Sequence, residues 1–188
     1  MISQNQGVVL YVRINKEWRF FMTQTKDFFE ILGQLESSGD YAARNKFGYL
    51  GKYQMGEAAM IDAGYYTKNN NNWNNDWSGK FTGKGGVNSV DDFLNNAEAQ
   101  EQAQRIFKKR QWQYLKSGGV ENYINKTIKG ETITPAMILG AAHLKGHGDA
   151  LKYLKSNGKI NPPDGFGTTM EDYMKHFKGC DVSEITGS

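Results

Sequence analysis

From residue 25 onward, wherever apolar side chains recur regularly they do so every three or four residues, and that period dictates packed helices rather than a large sheet. The first such stripe is Phe28, Phe29, Ile31, Leu32 and Leu35, with Thr25 expected as its N-cap, Asp27 in its first turn and Glu36 at its end. Upstream the period is two: Val8, Leu10, Val12 and Ile14 alternate with Val9, Tyr11 and Arg13, Asn15 and Lys16 follow, and Trp18 to Phe21 resume the run. This pattern predicts a hairpin of two short strands. The expected class is therefore mainly α (α+β), with a hairpin or appendage over residues 1–24 and one domain over 25–188. A chain of 188 residues can bury a core of its own. The single cysteine, Cys180, rules out an intramolecular disulfide, so packing has to stabilise the fold.

Further along, Gly39-Asp40 ends the first helix and the glycine-punctuated Tyr41 to Tyr53 reads as irregular or short-stranded. A helix is expected from Gln54 to Ala63, with Gly64 as its stop. Tyr65 to Gly86, rich in asparagine and glycine and carrying Trp73 and Trp77, reads as a long polar loop with exposed aromatics. Ser89 caps a helical stretch to about Lys116, broken near Asn95-Asn96, and another helix is placed over Val120 to Ile128. Thr134-Pro135 starts a helix. Gly146 and Gly148 interrupt it, Asp149 to Leu154 forms the next, and Thr168 to Phe177 the last.

Chemistry concentrates between Glu36 and Gln54. The string runs Glu36-Ser37-Ser38-Gly39-Asp40-Tyr41, then Gly48-Tyr49-Leu50-Gly51-Lys52-Tyr53-Gln54-Met55-Gly56. It resembles the soluble lytic transglycosylase family, in which a Glu-Ser pair is followed by Gly-Leu-Met-Gln and a helix. In that family the glycine and glutamine fall fifteen and eighteen residues after the glutamate, the spacing of Gly51 and Gln54 here. Far downstream, Ala141-Ala142-His143-Leu144-Lys145-Gly146-His147-Gly148 is similar to the family's Ala-Ala-Tyr-Asn-Ala-Gly-x-Gly element, in the same order. The departures are Lys52-Tyr53 for Leu-Met, His143 for tyrosine and Leu144 for asparagine, marking a divergent branch of phage-lysin or secreted-effector type. The resemblance implies a lysozyme-like, two-lobed fold with a small β region. It also implies cleavage of the MurNAc-GlcNAc β-1,4 bond of peptidoglycan by a single glutamate, Glu36, acting as acid and then base. If that base activates the sugar's own 6-hydroxyl, the product is a 1,6-anhydro end; if water, the enzyme is a muramidase.

The residues make a physical case beside the resemblance. A glycosidic oxygen leaves poorly unless a carboxylic acid protonates it. Glu36 follows Leu35 at a helix C-terminus, expected near Tyr49, Tyr53 and Met55, where desolvation and the helix dipole both disfavour the anion and raise its pKa. Ser37 and Gln54 can hold sugar or orient Glu36, Gly51 can supply a positive φ or a close backbone approach, and Trp73 and Trp77 can stack on sugar faces or anchor their loop. By resemblance His143 takes the place of a cleft tyrosine near the acid. Asp40, Asp62 and Asp76 are candidates for a second carboxylate, though each also suits a turn, helix surface or loop.

Other chemistries fit less well. His143 and His147 are four apart, but no glutamate follows His143 and Gly146 breaks the helix, so no metal is expected. Cys180 lacks the surroundings of a nucleophile, and Gly83-Lys84-Gly85-Gly86 lacks the spacing of a phosphate loop. No cofactor is expected. The net charge of +3 is scattered, which suits a diffuse anionic polymer such as a cell wall better than nucleic acid. The expected partners are peptidoglycan glycan strands and an inhibitor or immunity protein. The apolar run Val8 to Val12 is too short for a signal peptide or membrane span. Action in the bacterial periplasm or cell wall would then require delivery by phage lysis machinery, a secretion system or a parent multidomain protein. The alternatives are a non-catalytic peptidoglycan-binding or assembly module and a chitin-directed glycosidase.

Overall fold

The computed structural model describes residues 8–14, 17–23, 26–68 and 74–187, with side chains described from residue 26 onward. The strands β1 (Val8–Ile14) and β2 (Glu17–Thr23) form the expected antiparallel hairpin, in a register that pairs Val8 with Thr23 and Ile14 with Glu17. The rest is mainly helical with small sheets, as the periodicity predicts. A two-residue strand β3 (Lys26–Asp27) leads into α1 (Phe28–Ser37). Asp27, not Thr25, caps α1: its carboxylate accepts from the backbone N–H of Phe29 at 2.8 Å and Glu30 at 3.2 Å. Thr25 itself lies outside the described residues. The helix ends at Ser38 in the left-handed region, φ 58°, and the Gly39 N–H donates to the Gly33 carbonyl.

The helix expected from Gln54 begins later, as α2 (Glu57–Asp62), because Met55 is held by reciprocal backbone bonds to Leu50. The polar loop after it is tied down by a short ladder between β4 (Tyr66–Thr67) and β5 (Lys80–Phe81). Ser89 caps α3 (Val90–Leu94) and Asn96 caps α4 (Ala97–Ser117), so the predicted break at Asn95-Asn96 separates two helices. The helix expected over 120–128 is absent. A 3-10 turn over Val120–Tyr123 gives way to the hairpin β6 (Thr127–Ile128) and β7 (Glu131–Thr132), since Asn125, Lys129 and Gly130 all take positive φ.

Thr134 caps α5 (Pro135–Lys155), two helical runs that meet at Gly146, whose φ 80° and ψ 161° are non-helical; the expected interruption falls there and not at Gly148. The last elements are α6 (Met170–His176), β8 (Cys180–Asp181), which runs parallel to β3, and α7 (Ser183–Thr186). The apolar core gathers Leu32 of α1, Met60 of α2, Leu115 of α4, Leu139 of α5 and Phe177, each wholly buried. Gly140 lets α5 approach the end of α6, for a Cβ there would lie 2.3 Å from the Phe177 ring. Along α4 the residues Gln100, Gln104, Lys108 and Gln111, spaced four, four and three apart, are also buried. The helix thus carries a polar stripe into the interior. Among the described residues no helix is long and apolar enough to cross a membrane.

Candidate active site

Glu36, on the last turn of α1, lines a cleft of about 1040 Å³ together with Tyr49, Gln54, Met55, Phe107, His143, Phe166 and Tyr173. Its lining comes from the turn segment before α2, from α2 and α4, from the middle of α5 and from the loop around Phe166, a residue that is 87% exposed. Phe47 and Tyr49 present further exposed rings, and the cleft runs on past Asn45 and Asn75 into a shallower region beside Arg44 and Lys46. Aromatic faces alternating with amides and hydroxyls suit a sugar polymer, whose rings have apolar faces and polar rims.

The Glu36 side chain is 21% exposed and both of its contacts fall on Oε1. Tyr173 donates its hydroxyl to that oxygen, and His143 Nε2 lies 3.3 Å from it. Among the described residues no group bonds Oε2, which leaves that oxygen for a ligand. His143 is backed by Lys108, whose Nζ lies 3.1 Å from Nδ1 and donates to Gln111 Oε1 at 2.8 Å and the Leu139 carbonyl at 3.4 Å. Gln111 in turn donates to the Ala142 carbonyl at 2.9 Å. A hydrogen on Lys108 directed at Nδ1 fixes the neutral ring as its Nε2–H tautomer, the form that donates to Glu36.

This environment corrects the expected pKa of Glu36. Burial, the largest single influence, does raise it as anticipated. The His143 ring, through its field and its hydrogen bond, the Tyr173 hydroxyl and the Lys108 charge outweigh burial, and the carboxyl lies below its ordinary value. In the free site Glu36 is an anion at neutral pH. Burial also pulls Lys108 down to about 7, against the opposing pull of Glu36. The His143 pKa is lowered by burial first and by Lys108 second, so its ring is neutral at that pH. The hydroxyl of Tyr173 is pushed far up by burial and by Glu36 and stays a donor.

Tyr49, Gln54 and His143 share the cleft with Glu36, whereas Ser37, Gly51, Tyr53 and Trp77 do not line it. The Ser37 hydroxyl faces the backbone, donating to the Lys52 carbonyl at 2.8 Å, and so ties α1 to the following turn. Tyr53 is 1% exposed and donates to Glu101 at 2.7 Å, away from the cleft. It joins Lys52, whose ammonium lies 3.0 Å from Glu30 and 3.2 Å from Glu101, and Tyr41, which donates to Glu101 at 2.8 Å. The unusual Lys52-Tyr53 pair therefore forms a polar clasp behind the turn. Gly33 makes room for it, since a Cβ there would lie 2.3 Å from the Lys52 stem.

Gly51 has φ +71°, and a Cβ on it would meet Gln100 Oε1 at 2.1 Å; that oxygen accepts from the Lys52 N–H at 2.9 Å. Gln54, itself at φ 45°, donates its amide to the Gly51 carbonyl at 2.9 Å while its side chain lines the cleft. Trp77 anchors its loop: its indole N–H donates to the Gly48 carbonyl at 2.7 Å and its ring stacks on Phe81, with centroids 5.8 Å apart. It does not line the cleft. Trp73 lies outside the described residues.

Among the possible second carboxylates, Asp62 lines the cleft and accepts from the Tyr114 hydroxyl at 3.0 Å. Asp40 and Asp76 accept from backbone N–H groups two residues on, closing their own turns. Sequence reasoning missed Lys108 and Tyr173. Their signal is faint: Lys108 is in phase with Gln104 and Gln111 on a helix whose buried face is partly polar, and Tyr173 sits within an otherwise ordinary amphipathic turn. Among the described residues no three His, Cys, Asp or Glu side chains cluster to hold a metal ion. Comparison of the chain with family models, with curated proteins and with solved structures finds no match.

Proposed function

We propose that this chain cleaves the β-1,4 glycosidic bonds of peptidoglycan, with Glu36 as acid and then base, in a two-lobed, lysozyme-like arrangement. The observation that carries the reading is Glu36 itself. It is a mostly buried carboxylate at the end of a helix, lining an aromatic-rich cleft, with one oxygen held by Tyr173 and His143 and the other, among the described residues, without a hydrogen-bond partner. The Glu-Ser and Ala-Ala-His elements, remote in sequence, supply two members of this cluster, Glu36 and His143.

The low pKa of Glu36 in the free site defines what substrate has to do. A glycan laid across the cleft removes water from a carboxylate that is already largely enclosed, which favours the neutral acid. Protonated Glu36 then donates to the bridging oxygen. The anion so formed accepts a proton from the sugar's 6-hydroxyl or from water. Neither route requires a second acid from the protein if the substrate's acetamide supports the developing positive charge.

The test is digestion of purified peptidoglycan by the wild type and by Glu36→Gln, with soluble fragments identified by mass spectrometry. Glu36-dependent products lighter by one water than hydrolysed fragments would identify a lytic transglycosylase, and reducing-end products a glycosidase that uses water. Binding of the polymer without Glu36-dependent release would replace the enzymatic reading with that of a binding module. Release from chitin in preference to peptidoglycan would change the substrate.

A further inference from the structure

Lys108 is fully enclosed, yet among the described residues no carboxylate touches it. An isolated buried ammonium is costly unless its protons are all placed. Its three neighbours satisfy it in two different states. As an ammonium it can donate to Gln111 Oε1, the Leu139 carbonyl and His143 Nδ1. As a neutral amine it can still donate to the first two and accept from an Nδ1–H. In the first state His143 carries its proton on Nε2 and donates to Glu36. In the second, Nε2 accepts from a protonated Glu36. The same heavy-atom positions serve both.

We propose that Lys108 is a positioning residue that acts through His143 to set the proton on Glu36, so that the three groups exchange a zwitterion for an all-neutral state when substrate covers the cleft. One proton passes from Lys108 Nζ to His143 Nδ1 while another passes from His143 Nε2 to Glu36 Oε1. The total number of protons and the net charge are unchanged, and no other reactant is needed. The neutral state gains as water leaves, because the Glu36 anion loses its remaining hydration while Lys108 is already dry. A half-turn of the carboxyl about Cγ–Cδ, a soft torsion, presents the acquired proton to the cleft. The titratable groups facing this chain are Glu36 from α1, His143 from α5 and Tyr173 from α6, and Tyr173 stays protonated throughout. With Lys108 brought down to about 7 and the Glu36 carboxyl below its ordinary value, the free site holds the zwitterion across a gap far smaller than that of an ordinary lysine and glutamate. The neutrality of His143 there makes the ring a conduit rather than a store of charge.

The proposal rests on the reading of Glu36 as the acid, but its first test needs no substrate. In the 15N-labelled full chain, nitrogen shifts of Lys108 Nζ and of the His143 ring are followed against pH. The expected result is a Lys108 midpoint near 7 with a coincident step at His143 Nδ1, and loss of that step in Lys108→Met. Lys108 titrating with ordinary surface lysines, or His143 nitrogens indifferent to the Lys108 titration, would overturn the proposal in the wild type alone, whether or not the variant folds. On peptidoglycan, Lys108→Met should lower kcat on the order of 10- to 100-fold at unchanged KM and flatten the pH profile near 7. A loss confined to KM would refute the role. If the wild type releases nothing from peptidoglycan, coupled nitrogen titrations still establish the relay and it is the substrate reading that falls.

Discussion

Stability against pH gives the most direct view of Lys108. Its pKa in the folded chain is about 7, against an ordinary value of 10.5. Between those limits the unfolded chain holds a proton that the folded chain has shed, so raising the pH favours the folded state by about 1.4 kcal/mol per pH unit. Below pH 7 both states are protonated and the burial penalty is felt in full. A gap of about 3.5 pH units puts that penalty at roughly 5 kcal/mol. Methionine at position 108 keeps the length and abolishes the titration. It also leaves Gln111 Oε1 and His143 Nδ1 without a donor, at about 1–3 kcal/mol each, so the net effect near neutral pH is small.

The slope therefore decides, not the offset. Urea unfolding of wild type and Lys108→Met at about pH 7.5 and 9.5 should show the wild type gaining roughly 2–3 kcal/mol on the variant across the interval. The Cys180 thiol, pushed up to about 11 by burial, works in the opposite direction above pH 9, but both proteins contain it and it cancels in the difference. Unfolding free energies that run parallel in the two proteins would refute the burial argument for Lys108.

Two further outcomes follow from the site and its supporting turn. Tyr173→Phe removes the hydroxyl from the Glu36 carboxylate. Because the folded pKa of Glu36 is lowered, the stability linked to it is present above the ordinary value of 4.5 and is lost as the pH falls through the folded value. The variant should lose about 1.5–3 kcal/mol at neutral pH and about 0.5–1.5 kcal/mol in acid, where only a neutral hydrogen bond is forfeited; equal losses at both, by denaturant titration, would contradict the bond's charged character. Gly51→Ala should lose at least about 2 kcal/mol in thermal melts, from its positive φ and the clash with Gln100, and an unchanged melting temperature would mean that the turn relaxes freely.

The fold class was legible because periodicity is a local property. Phe28, Phe29 and Leu32 face inward as their spacing requires, Thr134-Pro135 starts α5, and Asn95-Asn96 separates α3 from α4. Boundaries failed where a nonlocal contact or an unusual φ took over. Met55 pairs with Leu50 and delays α2, and positive φ at Asn125, Lys129 and Gly130 replaces an expected helix with a hairpin. Within the cleft, Glu36 and Gln54 could be picked out by motif. Trp77 takes the anchoring alternative and Tyr53 turns to Glu101, because an aromatic ring reads alike in sequence whether it faces a ligand or packs into the protein.

What the sequence by itself determined is the set of local choices: the helical period, the caps, the glycine at Gly51 that a positive φ demands, and the glutamate on the last turn of α1. Charge state was left to the tertiary structure. Sequence reasoning placed Glu36 among apolar neighbours and raised its pKa. Folding instead brings Tyr173 and His143, 137 and 107 residues away, onto the same oxygen, and sets Lys108 behind them. A carboxyl's proton affinity depends on the dipoles and charges within a few ångströms of it, and only the folded chain decides which those are.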